Sequence, residues 1–231
     1  MATTEERRDQ SGEATGWTRE RQQVLEAAVE MYRAGLVIAT SGNVSARCGE
    51  ELMAITASGK DYEHLTQDDV VVVDFDGEPI LGDAIPSTEL LMHAAIYRSR
   101  REVGAVVHTH SVHASALAVA GIPLPPIVDE MVVTLGDSVQ VSEYAFPSSG
   151  ELGDNVVVAL GERSAALIRN HGVVGVGRDP KAALGVCRLV ERLAHIYTLA
   201  SAIGTPKELA PEVVASELEL FRMRQEVEEN A

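Results

Sequence analysis

Aromatic residues are scarce in this chain: phenylalanine, tyrosine and tryptophan together make up 4% of it. So few rings leave no stacking platform for single-stranded nucleic acid, and the core must be built mainly from Val, Ala, Leu and Ile. Positive charge is also short. Nineteen Lys and Arg stand against 35 Asp and Glu, a formal net charge of −16. Such a mean field repels phosphate backbones and anionic bilayers, so neither nucleic acid nor a membrane is expected as a partner. No apolar run reaches the roughly 18 residues of a spanning helix. The nearest, from Ala114 to Val128, is broken by Gly121 and three prolines. The first residues, MATTEERRDQSGEATG, have no apolar stretch of the signal-peptide kind, which points to the cytoplasm. Cysteine is limited to Cys48 and Cys187. One disulfide is formally open to them, but reduced buried thiols are the expectation. Walker-A and GxGxxG phosphate motifs are missing too; Gly175 and Gly177 follow a strand, but the remaining spacing fails.

What the chain does have is 45% apolar residues in periodic segments over 231 residues, enough for one sizeable core. Residues 1–16 are polar and predict a flexible tail, leaving 17–231 as a single domain. Thr18 is placed to cap a helix carrying Val24, Ala27, Ala28, Met31 and Leu36. Thr40–Arg47 has the composition of a small-residue turn. Strands are predicted at Leu52–Thr56 and Val70–Asp74, with Asp76-Gly77 as a hairpin turn. Ser87 or Thr88 opens a helix through Tyr97, Val103–His110 forms a buried strand, and Val112–Ala120 a helix. A strand near Ser138–Val141 and a helix over about Gly150–Leu160 follow. Ala165–Arg169 and Val173–Gly177 form two strands meeting at Asn170-His171-Gly172. Asp179 caps a long helix that Pro180 begins and that runs to about Ala202. A final helix spans Pro211–Glu228. Helices interleaved with short strands predict one layered α/β or α+β domain.

The chemistry begins at His108-Thr109-His110. Residues two apart on a strand share a face, so these imidazoles, about 7 Å apart by strand geometry, can converge on one cation. His171 sits on a tight turn after a second apolar strand, where Gly172 permits a positive φ or a close backbone approach. With Glu89 at the start of a helix, three histidines and a carboxylate are available. Three histidines with an exchangeable fourth position form an open, catalytic style of zinc site; Mn, Co and Fe accept the same ligands. His93 and His113 are assigned supporting roles, packed or beside the ligands, while His64 and His195 belong to no constellation of chemical residues in the sequence.

Three small-residue turns flank the histidines: Ser41-Gly42-Asn43, Ser58-Gly59-Lys60 and Ser87-Thr88. Hydroxyls, an amide and free N–H groups at a helix start make a neutral phosphate cradle. Such dipoles, with a divalent cation, let an acidic protein take an anionic substrate.

The segments TSGNVSAR (40–47), ITASGKDYEHLT (55–66), PSTELLMHAAIYRSR (86–100), VVHTHSVHASAL (106–117) and NHGVVGVG (170–177) closely resemble the class II aldolase and adducin-head family. The likeness runs in order from about Thr18 to the last helix. It implies a three-layer α/β/α fold around a mainly antiparallel sheet, and a cyclic homotetramer with active sites at subunit interfaces. It also implies one Zn2+ per subunit on His108, His110 and His171, a catalytic carboxylate at Glu89, and phosphate contacts from Asn43, Ser58, Gly59, Ser87 and Thr88, with Gly42 shaping its turn. The implied reaction is reversible aldol cleavage of a ketose 1-phosphate, such as L-fuculose 1-phosphate, to dihydroxyacetone phosphate and an aldehyde.

Two departures stand out. The family's aldolases carry a tyrosine after the proline-rich turn, where this chain has Glu130, and another near the C-terminus, where it reads Phe221-Arg222-Met223-Arg224. Glu130 thereby becomes a second proton-transfer candidate. It also matches the glutamate of the family's methylthioribulose-1-phosphate dehydratases, the rival reaction, but Glu89 favours the aldolase. Sugar-phosphate 4-epimerisation and decarboxylation also occur on the scaffold. The adducin branch, an interaction module, has no need of the metal residues this chain retains.

Overall fold

The computed structural model describes residues 17–229; the tail expected over 1–16 lies outside them. In chain order the elements are α1 (Thr18–Arg33), β1 (Asn43–Arg47), β2 (Leu52–Thr56), β3 (Val70–Asp74), β4 (Pro79–Leu81), α2 (Leu90–Ser99), β5 (Ala105–Thr109) and α3 (Val112–Ala120). Then come α4 (Asp129–Leu135), α5 (Gly150–Leu160), β6 (Ala165–Ile168), β7 (Gly172–Gly177), α6 (Pro180–Ile203) and α7 (Pro211–Glu229). The strands form one open sheet in the order β4-β3-β2-β1-β5-β7-β6, and every adjacent pair is antiparallel.

The period-2 alternation of apolar residues explains the layers. Met53, Ile55, Val71, Val73, Val106 and Val174 point to one face, where they pack with Met92, Ile96, Leu152 and Val156 of α2 and α5. Ala54, Val70, Val72, Ala105 and Val107 point to the other, against Val24, Ala28 and Met31 of α1 and Leu184 of α6. Beyond β7 that second face continues under α3, α4 and α6 through Leu167, Val173, Leu117, Met131 and Val190. Helices on both faces of a central antiparallel sheet give the three-layer architecture expected. Among the described residues no helix is long and apolar enough to cross a membrane. Cys48 and Cys187 are free and buried, and burial pushes both thiols up to about 12.

Several local expectations need correction. The segment expected as a turn over Thr40–Arg47 is largely β1, a central strand paired with both β2 and β5. Its side chains do alternate, Val44 and Ala46 towards α1, but Ser45 on the opposite face is fully buried, so polarity there does not mean exposure. Thr18 is the first helical residue rather than the cap: Trp17 holds that position in a left-handed conformation with no side-chain bond. The helix expected from Ser87 or Thr88 begins at Leu90, with Glu89 as its N-cap residue. Near Ser138–Val141 only isolated bridges occur, Leu124 to Val139 and Val141 to Leu167. The elements β4 and α4 had no expectation. Asp179 does cap α6, its side chain accepting from the Ala182 N–H, with Pro180 in the first turn.

Candidate metal centre

The site lies at one edge of the sheet, where β5 ends, β1 and β7 begin, and α2 starts. His108 is the penultimate residue of β5, and its register partners are Asn43 on β1 and Val174 on β7. His110 follows the strand, and His171 caps the β6–β7 hairpin after Asn170, whose φ is 56°. Gly172 is required for close approach rather than for a positive φ. A Cβ there would strike the Thr109 carbonyl oxygen and come within 3.2 Å of the His108 and His110 rings. Gly42 needs both freedoms: its φ is 77°, and a Cβ would stand 2.7 Å from the His108 carbonyl oxygen. The Tyr62 hydroxyl donates to the Gly42 carbonyl at 2.7 Å and holds this turn.

The three rings form a propeller. Each pair of ring centroids is 4.8 Å apart, with planes inclined by 68° to 71°. One ligand atom from each ring lies within 4.8 Å of the other two. His108 Nε2 is 2.9 Å from His110 Nε2. Glu89 completes the group, with Oε2 3.3 Å from His108 Nε2 and Oε1 3.3 Å from His171 Nε2.

The protonation logic points to a cation. His108 Nδ1–H donates to the Val173 carbonyl at 3.0 Å, and a carbonyl only accepts, so Nε2 presents a lone pair to the centre. Burial, and then repulsion from the other two rings, holds His108 well below the ordinary imidazole pKa. Burial first and His171 second lower His110. Neutral imidazole is the form that binds metal. Glu89 Oε1 is buried with no hydrogen-bond partner. Lone pairs and a buried carboxylate facing one another are unfavourable without a positive charge between them. Tetrahedral ligands at zinc bond lengths stand about 3.3–3.4 Å apart, which matches the Glu89 separations. The residues present therefore fit a divalent cation.

The small-residue turns are drawn together beside this centre. Ser58 N–H donates to the Ile85 carbonyl at 2.8 Å and Ser87 N–H to the Thr56 carbonyl at 3.0 Å, zipping the Ser58-Gly59 loop to the Ser87-Thr88 segment. Ser58, Gly59 and Thr88 are exposed, while Ser87 is buried with its Oγ accepting from the Glu89 N–H. Asn43 is engaged differently from the other turn residues. Its amide nitrogen donates to Glu89 Oε2 at 2.8 Å, and its carbonyl oxygen faces His93 Nε2 at 2.5 Å. His93 is fully buried, and burial, with repulsion from His108 second, lowers it to about 3. Its Nδ1 lies 2.6 Å from Ser45 Oγ, which is 2.8 Å from the Tyr97 hydroxyl. Ser45 and Tyr97 were not foreseen. The signal was present in Glu89, His93 and Tyr97, a polar stripe at four-residue spacing along a mainly apolar helix.

The structure does not bring Glu130 to this group within one chain. It is exposed on the first turn of α4, 3.8 Å from Arg192 Nε. His113 and His195 stack face to face with centroids 3.8 Å apart, and His64 pairs with Asp61 at the surface.

Comparison with known proteins places this geometry in context. The family model described as Class II Aldolase and Adducin N-terminal domain matches residues 22–198. An L-fuculose phosphate aldolase of Escherichia coli O6:H1 is 36% identical over 201 residues, 87% of this chain and 93% of that one. A 5-deoxy-D-ribulose 1-phosphate aldolase of Bacillus thuringiensis serovar kurstaki is 36% identical over 195 residues, 84% of this chain and 91% of its own. The solved structure of an L-fuculose 1-phosphate aldolase superposes with a TM-score of 0.84 at 33% identity, covering 88% of this chain and 96% of that one.

Proposed function

From its place in the class II aldolase and adducin family, to which this chain belongs, we propose that it is a metal-dependent lyase. It cleaves a ketose 1-phosphate reversibly to dihydroxyacetone phosphate and an aldehyde. The observation that carries the reading is the convergence of three imidazoles with a buried carboxylate whose Oε1 has no hydrogen-bond partner. In this reading His108, His110 and His171 hold the ion. Zinc is the first choice, and when bound it supplies Lewis-acid stabilisation of the negative charge that develops on the ketose oxygens.

The chain's own residues do the rest. Glu89 moves the proton at the carbon beside the carbonyl. In the cleavage direction it delivers a proton to that carbon after the carbon–carbon bond breaks. The hydroxyl proton lost as the aldehyde forms passes to a second base, for which Glu130 of a neighbouring copy is the candidate; in condensation both transfers run in reverse. Burial keeps water away from this carboxylate, and Asn43 holds one of its oxygens. The exposed hydroxyls of Ser58 and Thr88 and the backbone N–H groups of Gly59 and Thr88, with Ser87 behind them, receive the phosphate as fixed dipoles. Gly42 keeps the backbone against β5, so the Asn43 side chain meets Glu89.

The reading includes a cytoplasmic homotetramer with sites at subunit interfaces. Glu130, exposed on its own chain, then enters the chemistry only as a group that a neighbouring subunit presents. As a proton-transfer group it is expected to cost roughly a hundredfold in kcat on Glu130→Gln; an unchanged rate removes it from the mechanism.

The test is a panel of ketose 1-phosphates, including L-fuculose 1-phosphate and 5-deoxyribulose 1-phosphate, with dihydroxyacetone phosphate and aldehyde measured separately. Equal yields of the two support the lyase. A diketone with loss of water, from methylthioribulose 1-phosphate, replaces it with the dehydratase.

A further inference from the structure

Behind Glu89 a line of hydrogen bonds runs through Asn43 into the core, to residues that the proposed reaction leaves without a task. It passes from Glu89 Oε2 to Asn43 (2.8 Å), from Asn43 to His93 (2.5 Å), from His93 to Ser45 (2.6 Å) and from Ser45 to Tyr97 (2.8 Å). Asn43 is 3% exposed, Tyr97 1%, and Ser45 and His93 are wholly enclosed.

The carboxylate dictates the direction of every bond in the line. An ionised carboxylate only accepts, so Asn43 turns its NH2 towards Glu89 and its carbonyl away. That carbonyl only accepts, so His93 must carry its proton on Nε2. The neutral ring then accepts at Nδ1, Ser45 donates to it, and the Tyr97 hydroxyl donates to Ser45. Reversing one member sets two acceptors or two donors face to face, which is costly at full burial.

We propose that His93, locked as the Nε2–H tautomer, is a positioning residue: through Asn43 it fixes the orientation of the Glu89 carboxylate between the histidines. A glutamate has three side-chain torsions, and Glu89 occupies the N-cap of α2 with no capping bond of its own side chain. The Asn43 amide is therefore the fixed hydrogen-bonding handle on this group, and Asn43 in turn has a direction because His93 has one. Tyr97 and Ser45 anchor the far end. This inference rests on the reading of Glu89 as the proton carrier.

Two substitutions separate orientation from packing. His93→Gln sets an amide nitrogen near the place of Nε2 and keeps a donor for Asn43. His93→Asn reaches only the level of Nδ1 and leaves the Asn43 carbonyl without one. Metal content is expected to stay at the wild-type level in both. His93→Gln should stay within about threefold of the wild-type kcat, while His93→Asn falls roughly 10- to 100-fold with KM little changed, the range seen when a supporting partner is removed. Equal losses in the two variants overturn the proposal.

A second arm needs neither turnover nor a folded variant. In the metal-free wild-type chain labelled with 15N-histidine, long-range 1H–15N spectra should show His93 as the Nε2–H tautomer. The Nδ1–H tautomer overturns the proposal. A wild-type protein inert towards every ketose phosphate sinks the reaction assigned above, while the tautomer still decides whether the line of bonds runs as described.

Discussion

The two ends of β1 hold polar side chains in opposite states. At its C-terminal end the Arg47 guanidinium donates to four backbone carbonyls, those of Val103, Glu50, Tyr97 and Arg100, at 2.8 to 3.2 Å. The same group lies 4.7 Å from the centre of the Tyr97 ring. At the N-terminal end, Asn43 leads to a carboxylate with one oxygen unsatisfied and to imidazole nitrogens crowded against each other. Five residues of one strand thus carry a completed polar cluster and an incomplete one. Completed clusters hold a fold together; an incomplete one at full burial is tolerated where something else is to bind.

If the incomplete end is completed by a metal, its removal is the change with the largest consequence. Chelation is expected to abolish turnover and to lower the melting temperature, with both restored on adding zinc; metal analysis and thermal melts in parallel check this. An active metal-free preparation would end the comparison outright. Next in size is Glu89→Gln, which keeps the neighbouring hydrogen bond but removes the proton carrier. A loss of at least about a hundredfold in kcat is expected, with metal content unchanged. Loss of the metal along with the rate would make Glu89 chiefly a ligand.

The opposite end should respond in the opposite way. Arg47→Met leaves several partly buried carbonyls without their donor, and a destabilisation of roughly 2–4 kcal/mol is expected from hydrogen bonds to a charged group. Measured by urea unfolding, that loss should come with kcat within about twofold of wild type, since the guanidinium meets the line behind Glu89 only at the Tyr97 carbonyl and ring face, not at the hydroxyl that anchors it. A large fall in kcat with stability intact would show that the two ends are not independent.

These ends were unequally legible in the sequence. The histidines stand out because imidazole at the end of an apolar strand, or at the tip of an apolar hairpin, breaks the local pattern. Glu89 stands out because it opens an apolar helix. The strand between the two clusters does not. Asn43, Ser45 and Arg47 are polar at every second position, and nothing local says that this polar face is buried. Its partners, His93, Tyr97, Val103 and Arg100, lie about fifty residues away in sequence. Only the antiparallel pairing of β1 with β5, and the seat of α2 over both, brings them within reach. The same gap hides the direction of Asn43, whose motif marks a phosphate turn while its amide faces a carboxylate. The remaining misses are of another kind. The α4 helix is one of the shortest, at 7 residues, and follows a proline-rich turn that obscures its period.

A smaller effect distinguishes the ends by pH alone. His93 is held at about 3 against an ordinary value of 6.5, because burial disfavours its charged form. Between those values the unfolded chain binds a proton at this residue and the folded chain does not, so acid favours unfolding. Its contribution is fully present above pH 6.5 and is lost as pH falls towards 3, by at most about 1.4 kcal/mol per pH unit. The metal-free protein should therefore lose stability between pH 7.5 and 5.5 in urea titrations. His93→Gln, which has no proton to take up, should show a shallower slope, by about half a proton on average across this window. Arg47→Met should be weaker than wild type by the same amount at both pH values, because the guanidinium stays charged throughout. A His93→Gln slope equal to that of wild type would mean that the buried ring already carries its proton, and the line of donors and acceptors behind Glu89 would then have to run differently.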